Sequence, residues 1–214
     1  MIRLAVDAVV FTIIRHKLRL LLIKRGKPPF EGKYALPGGF VEENEDIDSA
    51  AARELNEETG VENIFLKQIG AYGAVNRDPR GRIVTIAYLA IIDSGKIKLS
   101  ASDDAEAAGW FSANELPELA FDHKKIIESA LEELRFELQT TNIAYQLMPK
   151  KFTLTELQKA YETILGESLD KRNFRKRTKQ LNTLQPLNET KIEGVHRPAQ
   201  LFSFRERKYR QLKD

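Results

Sequence analysis

An α/β/α sandwich on a mixed sheet, followed by a small winged helix-turn-helix unit, is the fold class this 214-residue sequence predicts. Three observations predict it. Over residues 1–140, β-branched and leucine-rich runs alternate with two stretches of helical periodicity, the pattern of a sheet covered by helices. Beyond residue 150 the order becomes helix, turn, helix, then two short runs around a polar turn. Charge divides at the same place: residues 1–150 hold 19 Lys and Arg against 23 Asp and Glu, whereas residues 151–214 hold 15 against 8. Domains are therefore expected at 1–140 and 141–214.

The elements follow in order. "LAVDAVVFTII" and "LRLLLIKR" flank a polar turn at Arg15–Lys17 and read as a hairpin. "KPPF" and "LPGG" are loops, because proline removes a backbone donor and glycine admits unusual backbone angles. Ile47 to Thr59 has helical spacing and is closed by Gly60 at the C-terminal capping position. "IFLKQIGAYGAV", "IVTIAYLAII" and "GWF" are strand candidates, with "DPRG" a turn between the first two. Asp122 to Leu138 repeats apolar residues with helical period, Asp122 being the candidate N-cap. Gln139 to Lys150 loosens into a linker. "FTLTELQKAYETILG" and "SLDKRNFRKRTKQL" are the two helices of the second unit, and "AQLFSFR" ends its hairpin.

Composition excludes several classes. No cysteine is present, so a disulfide frame, a thiolate metal site and a cysteine nucleophile are all ruled out. That suits a reducing, cytoplasmic compartment. The apolar start is interrupted by Asp7, Arg15, His16, Lys17 and Arg19, so it falls short of the ~18 clean residues of a membrane span. A basic unit behind a mildly acidic one is the asymmetry expected where the second part meets a polyanion, nucleic acid first, with a solvated basic tail as the alternative.

The acidic helix carries the chemistry. Positions three and four apart share a helical face, so Glu54, Glu57 and Glu58 converge and repel. Arg53 is the only basic residue between Lys33 and Lys67, so local neutralisation is thin. A solvated face is the bland explanation. A cluster of hard oxygen donors awaiting Mg²⁺ or Mn²⁺ is the better one.

The spacing is more specific. Gly39, Glu45, Arg53, Glu54, Leu55, Glu57, Glu58, Gly60 and Val61 stand at every defining position of the Nudix box, which this stretch resembles. The resemblance implies a Nudix sandwich, a divalent cation held by Glu54, Glu57 and Glu58, and water attack on a nucleoside diphosphate linked to another group. It also implies that Arg53 orients the carboxylates, that Glu45 ties the loop to the helix, and that Gly38 and Gly39 let the backbone approach phosphate. Arg25 and the trio Arg77, Arg80 and Arg82 are candidate phosphate contacts, since a guanidinium fork suits phosphate oxygens. Asp103, Asp104 and Glu106 are candidates for the general base, with ordinary loop acids as the alternative. "NRDPRGRIVTIAYLAII" resembles the ADP-ribose pyrophosphatase branch, which points to ADP-ribose or a related NAD metabolite, with sugar nucleotides as the alternative.

In the tail, Asp170 can cap a helix bearing Lys171, Arg172, Asn173, Arg175, Lys176, Arg177 and Lys179, with Leu169, Phe174 and Leu181 as apolar anchors. Such a helix suits the DNA major groove, lysines on phosphates and Asn or Arg on base edges. A solvated helix packed on the enzyme, or one that recognises RNA, is the alternative. With "GVHRPAQLFSF", the segment from about Asn142 to Phe204 resembles the winged helix of the Nudix-related transcriptional regulators, NrtR. That family senses ADP-ribose and represses genes of NAD metabolism. The resemblance implies a homodimer that reads a palindromic operator in double-stranded DNA, with Arg197 in the wing. Many such regulators have lost glutamates from the box; here it is complete, so hydrolysis stays available. The expectation is thus an ADP-ribose hydrolase that also regulates transcription. A non-catalytic sensing repressor, and a plain hydrolase whose tail only dimerises, are the alternatives.

Overall fold

The computed structural model describes residues 1–60, 64–93, 105–192 and 198–212. Contacts divide the chain into two units, one of Met1–Ile14 with Leu18–Glu133, the other of Arg15–Lys17 with Leu134–Asp214.

The first unit is built on a seven-stranded sheet. Its strands are β1 (Arg3–Ile14), β2 (Lys17–Arg25), β3 (Tyr34–Ala35), β4 (Gly38–Phe40), β5 (Phe65–Tyr72), β6 (Ile83–Ile91) and β7 (Ala105–Ser112). The order β3-β2-β1-β6-β5 places β1 at the centre, with β4 also on β1 and β7 on β2. β1 runs parallel to β6 from Arg3↔Ile83 to Phe11↔Ile91, whereas β1–β4, β2–β3, β2–β7 and β5–β6 pair antiparallel. The sheet is therefore mixed. The β1–β2 turn is tight because Arg15 and His16 both take positive φ, the handedness that matches strand twist.

Both faces of β1 are buried. Val6, Ala8 and Val10 join α1 (Ile47–Thr59) through Ala50, Ala51 and Leu55. On the alternate face Val9 and Phe11 are fully buried, as are Leu20, Leu22 and Leu89 of the neighbouring strands. α2 (His123–Thr140) contributes Ile126, Ile127 and Ala130 to the buried set. α1 has the bounds its sequence implied: Asp46 accepts from the Ser49 amide as N-cap, and Gly60 closes it in the left-handed conformation. α2 begins one residue later and ends two residues beyond the expected span. Asp122 precedes it, but its carboxylate is engaged by Arg77 through three contacts of 2.7–3.1 Å.

In the second unit, a 3₁₀ turn (Ile143–Gln146) and β8 (Phe152–Thr153) precede α3 (Leu154–Leu165), α4 (Lys171–Gln180), β9 (Leu184–Lys191) and β10 (Ala199–Phe204). The strands form a three-stranded antiparallel sheet in the order β8-β10-β9. Thr153 and Glu156 form a reciprocal capping box on α3, satisfying two orphan donors at its start. The core gathers Phe152 against Phe204 and Tyr161 against Phe174 at ring separations of 5.1 and 5.3 Å, with Leu157, Ile164 and Leu184 buried. Helix, turn, helix and hairpin thus stand in winged-helix order. The 3₁₀ turn and β8 were not foreseen, since elements of two to four residues carry no periodicity. Among the described residues no helix is long and apolar enough to cross a membrane.

Candidate active site and nucleic-acid interface

A cavity of about 790 Å³ opens in the first unit where β1, β4, α1 and the β5–β6 connection meet. Its walls carry two opposed sets of charge. Asp7, Glu54, Glu57 and Glu58 form the acidic set; Arg25, Lys27, Arg77 and Arg80 form the basic one.

The acidic set is organised by Arg53. Its guanidinium binds both Glu45 oxygens, donates to Glu54 at 2.8 Å and to the Phe40 carbonyl at 3.2 Å, and lies 3.5 Å from Glu57. Hydrogen bonds from Arg53 hold the Glu45 carboxyl below its ordinary pKa. Glu54 stays above its ordinary value, because burial outweighs the neighbouring arginine. Glu58 is 8% exposed, and its carboxyl is pushed well up by burial first and then by Glu54, despite a 3.1 Å bond from the Gly38 amide. Burial and like charge without a matching cation suit a divalent ion with hard oxygen ligands. Among the described residues no three carboxylate or imidazole groups are already drawn into a metal cage.

The two glycines line the cavity, and each also has a packing reason to lack a side chain. A Cβ on Gly39 would stand 2.1 Å from a Glu54 carboxylate oxygen, and one on Gly38 2.1 Å from the Val6 carbonyl. The space above each is filled by the protein's own atoms. Glycine here lets the loop press β4 against β1 and lets Glu54 fold over it.

The basic set is layered with aromatic rings. Arg80 is held by Asp78 through three side-chain contacts of 2.6, 3.0 and 3.3 Å, and its guanidinium lies 5.3 Å from the Phe40 ring and 5.5 Å from Phe121. Arg25 sits 5.0 Å from the same Phe121 ring, a cation–π distance. Burial and then the like charge of Arg80 lower its pKa from the ordinary value. Arg77 is 8% exposed and bound to Asp122, with Asp7 at 3.5 Å. His123, also buried, accepts at Nδ1 from the Leu36 amide, and desolvation lowers its pKa from the ordinary value. Arg82 departs from the expectation: it is not in the cavity wall, and its side chain donates to the Gly73 carbonyl. It points elsewhere because it lies one residue before β6, on the far side of the "DPRG" turn.

In the second unit α4 is charged almost all round. Asp170 caps it by accepting from the Asn173 amide at 2.8 Å, and Phe174 is its one buried side chain. Lys171, Arg172, Asn173, Arg175, Lys176 and Lys179 are exposed. Those five cations form no ion pair with the described residues. Arg177 differs, donating to the Gln139 carbonyl at 2.8 Å. Cations in the last turn complement the helix dipole; Lys171 and Arg172 at the start do not, and Asp170 offsets them.

Comparison with known proteins matches the NUDIX domain over residues 3–130 and the NrtR DNA-binding winged helix domain over residues 144–204. The chain is 37% identical over 205 residues to the ADPR responsive transcriptional repressor NtrR of Acinetobacter baylyi, covering 94% of this chain and 81% of that one. The chain belongs to the NrtR family of Nudix proteins. A crystal structure of Shewanella oneidensis NrtR complexed with a 27mer DNA aligns with a TM-score of 0.83 at 32% identity, over 94% of this chain and 93% of that one. The Nudix domain of the same protein complexed with ADP ribose aligns at 0.57 and 34%, over 63% and 89%. The ADP-ribose pyrophosphatase of Methanocaldococcus jannaschii is 46% identical over 116 residues, 54% of this chain and 68% of the relative.

Within this NrtR-family chain, the cavity brings together Gly38, Gly39, Glu54, Glu57, Glu58 and Arg25, with Arg53 bracing them from behind. Val61, Asp103, Asp104, Arg197 and the side chain of Glu106 lie outside the described residues. Sequence reasoning missed Asp7, Phe40, Asp78, Phe121 and His123 as wall residues. One signal was available: Asp7 is a lone charge inside an apolar strand, a position that needs a reason.

Proposed function

We propose that this chain is an ADP-ribose-responsive transcriptional repressor whose Nudix cavity binds ADP-ribose and, with Mg²⁺ or Mn²⁺, hydrolyses it. The observation that carries the reading is one chain holding both a complete acidic box at a charged cavity and an exposed basic helix in a winged-helix frame. Glu54, Glu57 and Glu58 would hold the cation. When bound, it supplies charge neutralisation for the diphosphate and activation of water. Arg25 and Arg80 bind phosphate oxygens, Arg53 fixes Glu54 and Glu57, and the Gly38 amide holds Glu58 in place.

α4 enters the major groove with Lys171, Lys176 and Lys179 on phosphates and Arg172, Asn173 and Arg175 toward base edges; Arg197 adds a wing contact. A cytoplasmic homodimer presents two such helices to a palindromic operator at genes of NAD metabolism. ADP-ribose releases the protein from DNA, and its cleavage to AMP and ribose 5-phosphate resets the signal.

A mobility-shift assay on DNA upstream of the protein's own gene tests this reading. A specific shift reversed by ADP-ribose is expected; no shift, or one indifferent to the ligand, overturns it. A receptor-only role, in which ADP-ribose is bound but not cleaved, is the second reading. Release of AMP with Mg²⁺ or Mn²⁺ separates the two.

A further inference from the structure

The Asp7 carboxylate is buried in the cavity wall, its side chain 11% exposed, yet among the described residues no hydrogen bond reaches it. Its contacts are Arg77 at 3.5 Å on one oxygen and His123 Nε2 at 3.6 Å on the other, both beyond a good bond. Arg77 gives its short bonds to Asp122, and His123, which accepts from the Leu36 amide at Nδ1, turns its Nε2–H toward Asp7 only at long range. Asp7 cannot turn away, because its backbone is paired with Gly38 on one side and Ala87 on the other. A buried carboxylate short of donors is expensive unless something in the cavity donates to it.

The donor's chemistry follows from the surroundings. A phosphate oxygen would be repelled. A metal ion fits poorly, since the Arg77 guanidinium already stands beside the same carboxylate. A sugar hydroxyl fits, because an ionised carboxylate is acceptor-only and can take two neighbouring O–H donors at once. We propose that Asp7 reads the hydroxyls of the terminal sugar, so that the cavity selects a diphosphate bearing a sugar over the bare nucleoside diphosphate. This rests on the ADP-ribose reading above. It assigns Asp7 a specificity role distinct from the acidic box, in a site whose charge otherwise reads only phosphate and metal.

Calorimetric binding of ADP-ribose and of ADP, in EDTA and again with Mg²⁺, tests the proposal. Wild type should prefer ADP-ribose by at least about 10-fold, since a site built to bond a hydroxyl strongly rejects a ligand lacking it. Asp7→Asn should lower ADP-ribose affinity by roughly 10-fold or more while leaving ADP within about 2-fold, hydrogen bonds to charged groups being the stronger kind. The amide offers one acceptor oxygen where the carboxylate had two, and its NH₂ cannot accept from a sugar hydroxyl.

Equal losses for both ligands would overturn the role, showing that Asp7 only braces Arg77 and His123. So would an unchanged ADP-ribose affinity. Equal binding of the two ligands by wild type overturns it without any variant. If wild type binds neither ligand, the functional reading itself fails and takes this inference with it.

Discussion

Two short helices in this chain crowd like charge, and they do so in opposite ways. Around α1, Glu58 is buried and Glu54 half-buried in a cavity wall, and Arg53 links Glu45, Glu54 and Glu57 into one array. On α4, Lys171, Arg172, Arg175, Lys176 and Lys179 stand in solvent with no described partner. The difference teaches what each charge is for. Buried repulsion in a confined space calls for a small, hard counter-ion at a fixed point. Exposed repulsion along a helix calls for an extended polyanion that can meet several charges at once.

Four experiments would break or sharpen that contrast. The largest effect is expected from Glu57→Gln, which should lower ADP-ribose hydrolysis by on the order of 10²-fold or more while DNA affinity stays unchanged. A parallel fall in DNA affinity would show that the two charge arrays do not act separately.

Gly38→Ala should destabilise by about 1–3 kcal/mol in urea titration, since a Cβ there would stand 2.1 Å from the Val6 carbonyl oxygen at a φ of +154°. A stability equal to wild type would mean the loop can retreat at no cost. The double change Arg175→Ala with Lys176→Ala should reduce the slope of log affinity against log salt by about 2. Its urea midpoint should hold, because exposed side chains away from special features rarely matter by more than ~0.5 kcal/mol.

The smallest effect concerns pH. Glu54 and Glu58 have folded pKa values raised above the unfolded one, so the native state holds their protons more tightly. The stability this gives is complete below the ordinary carboxylate pKa and is lost as pH rises through the raised values. Mg²⁺ competes for the same oxygens, so its increment in Tm should grow with pH across that window. An increment independent of pH would place the ion elsewhere.

Much of this was legible in residues alone, for identifiable reasons. α1 was readable to the residue because its signals are local: Gly60 after it and glutamates at helical spacing. α4 was readable likewise from Asp170 and the position of Phe174. The rest of the cavity wall was not, because it is assembled across the sheet. Asp7 comes from β1, whereas Phe121 and His123 come from the start of α2, which the Leu36 amide ties to the sheet, and no spacing records such a meeting. The arginines show the same limit. Arg77, Arg80 and Arg82 look equivalent in "NRDPRGR", yet the turn sends one into a buried ion pair, one to the cavity mouth and one outside.

Arg53 has a consequence for response time. Because its guanidinium fixes Glu45, Glu54 and the Phe40 carbonyl, the loop and helix are held together by the chain's own atoms. The entropy of arranging those side chains is lost once, when the chain folds, and not again at each binding event. Loading and unloading then need no local refolding step. A protein that reports a changing metabolite level gains from this: its answer can follow the ligand as fast as diffusion and dissociation allow.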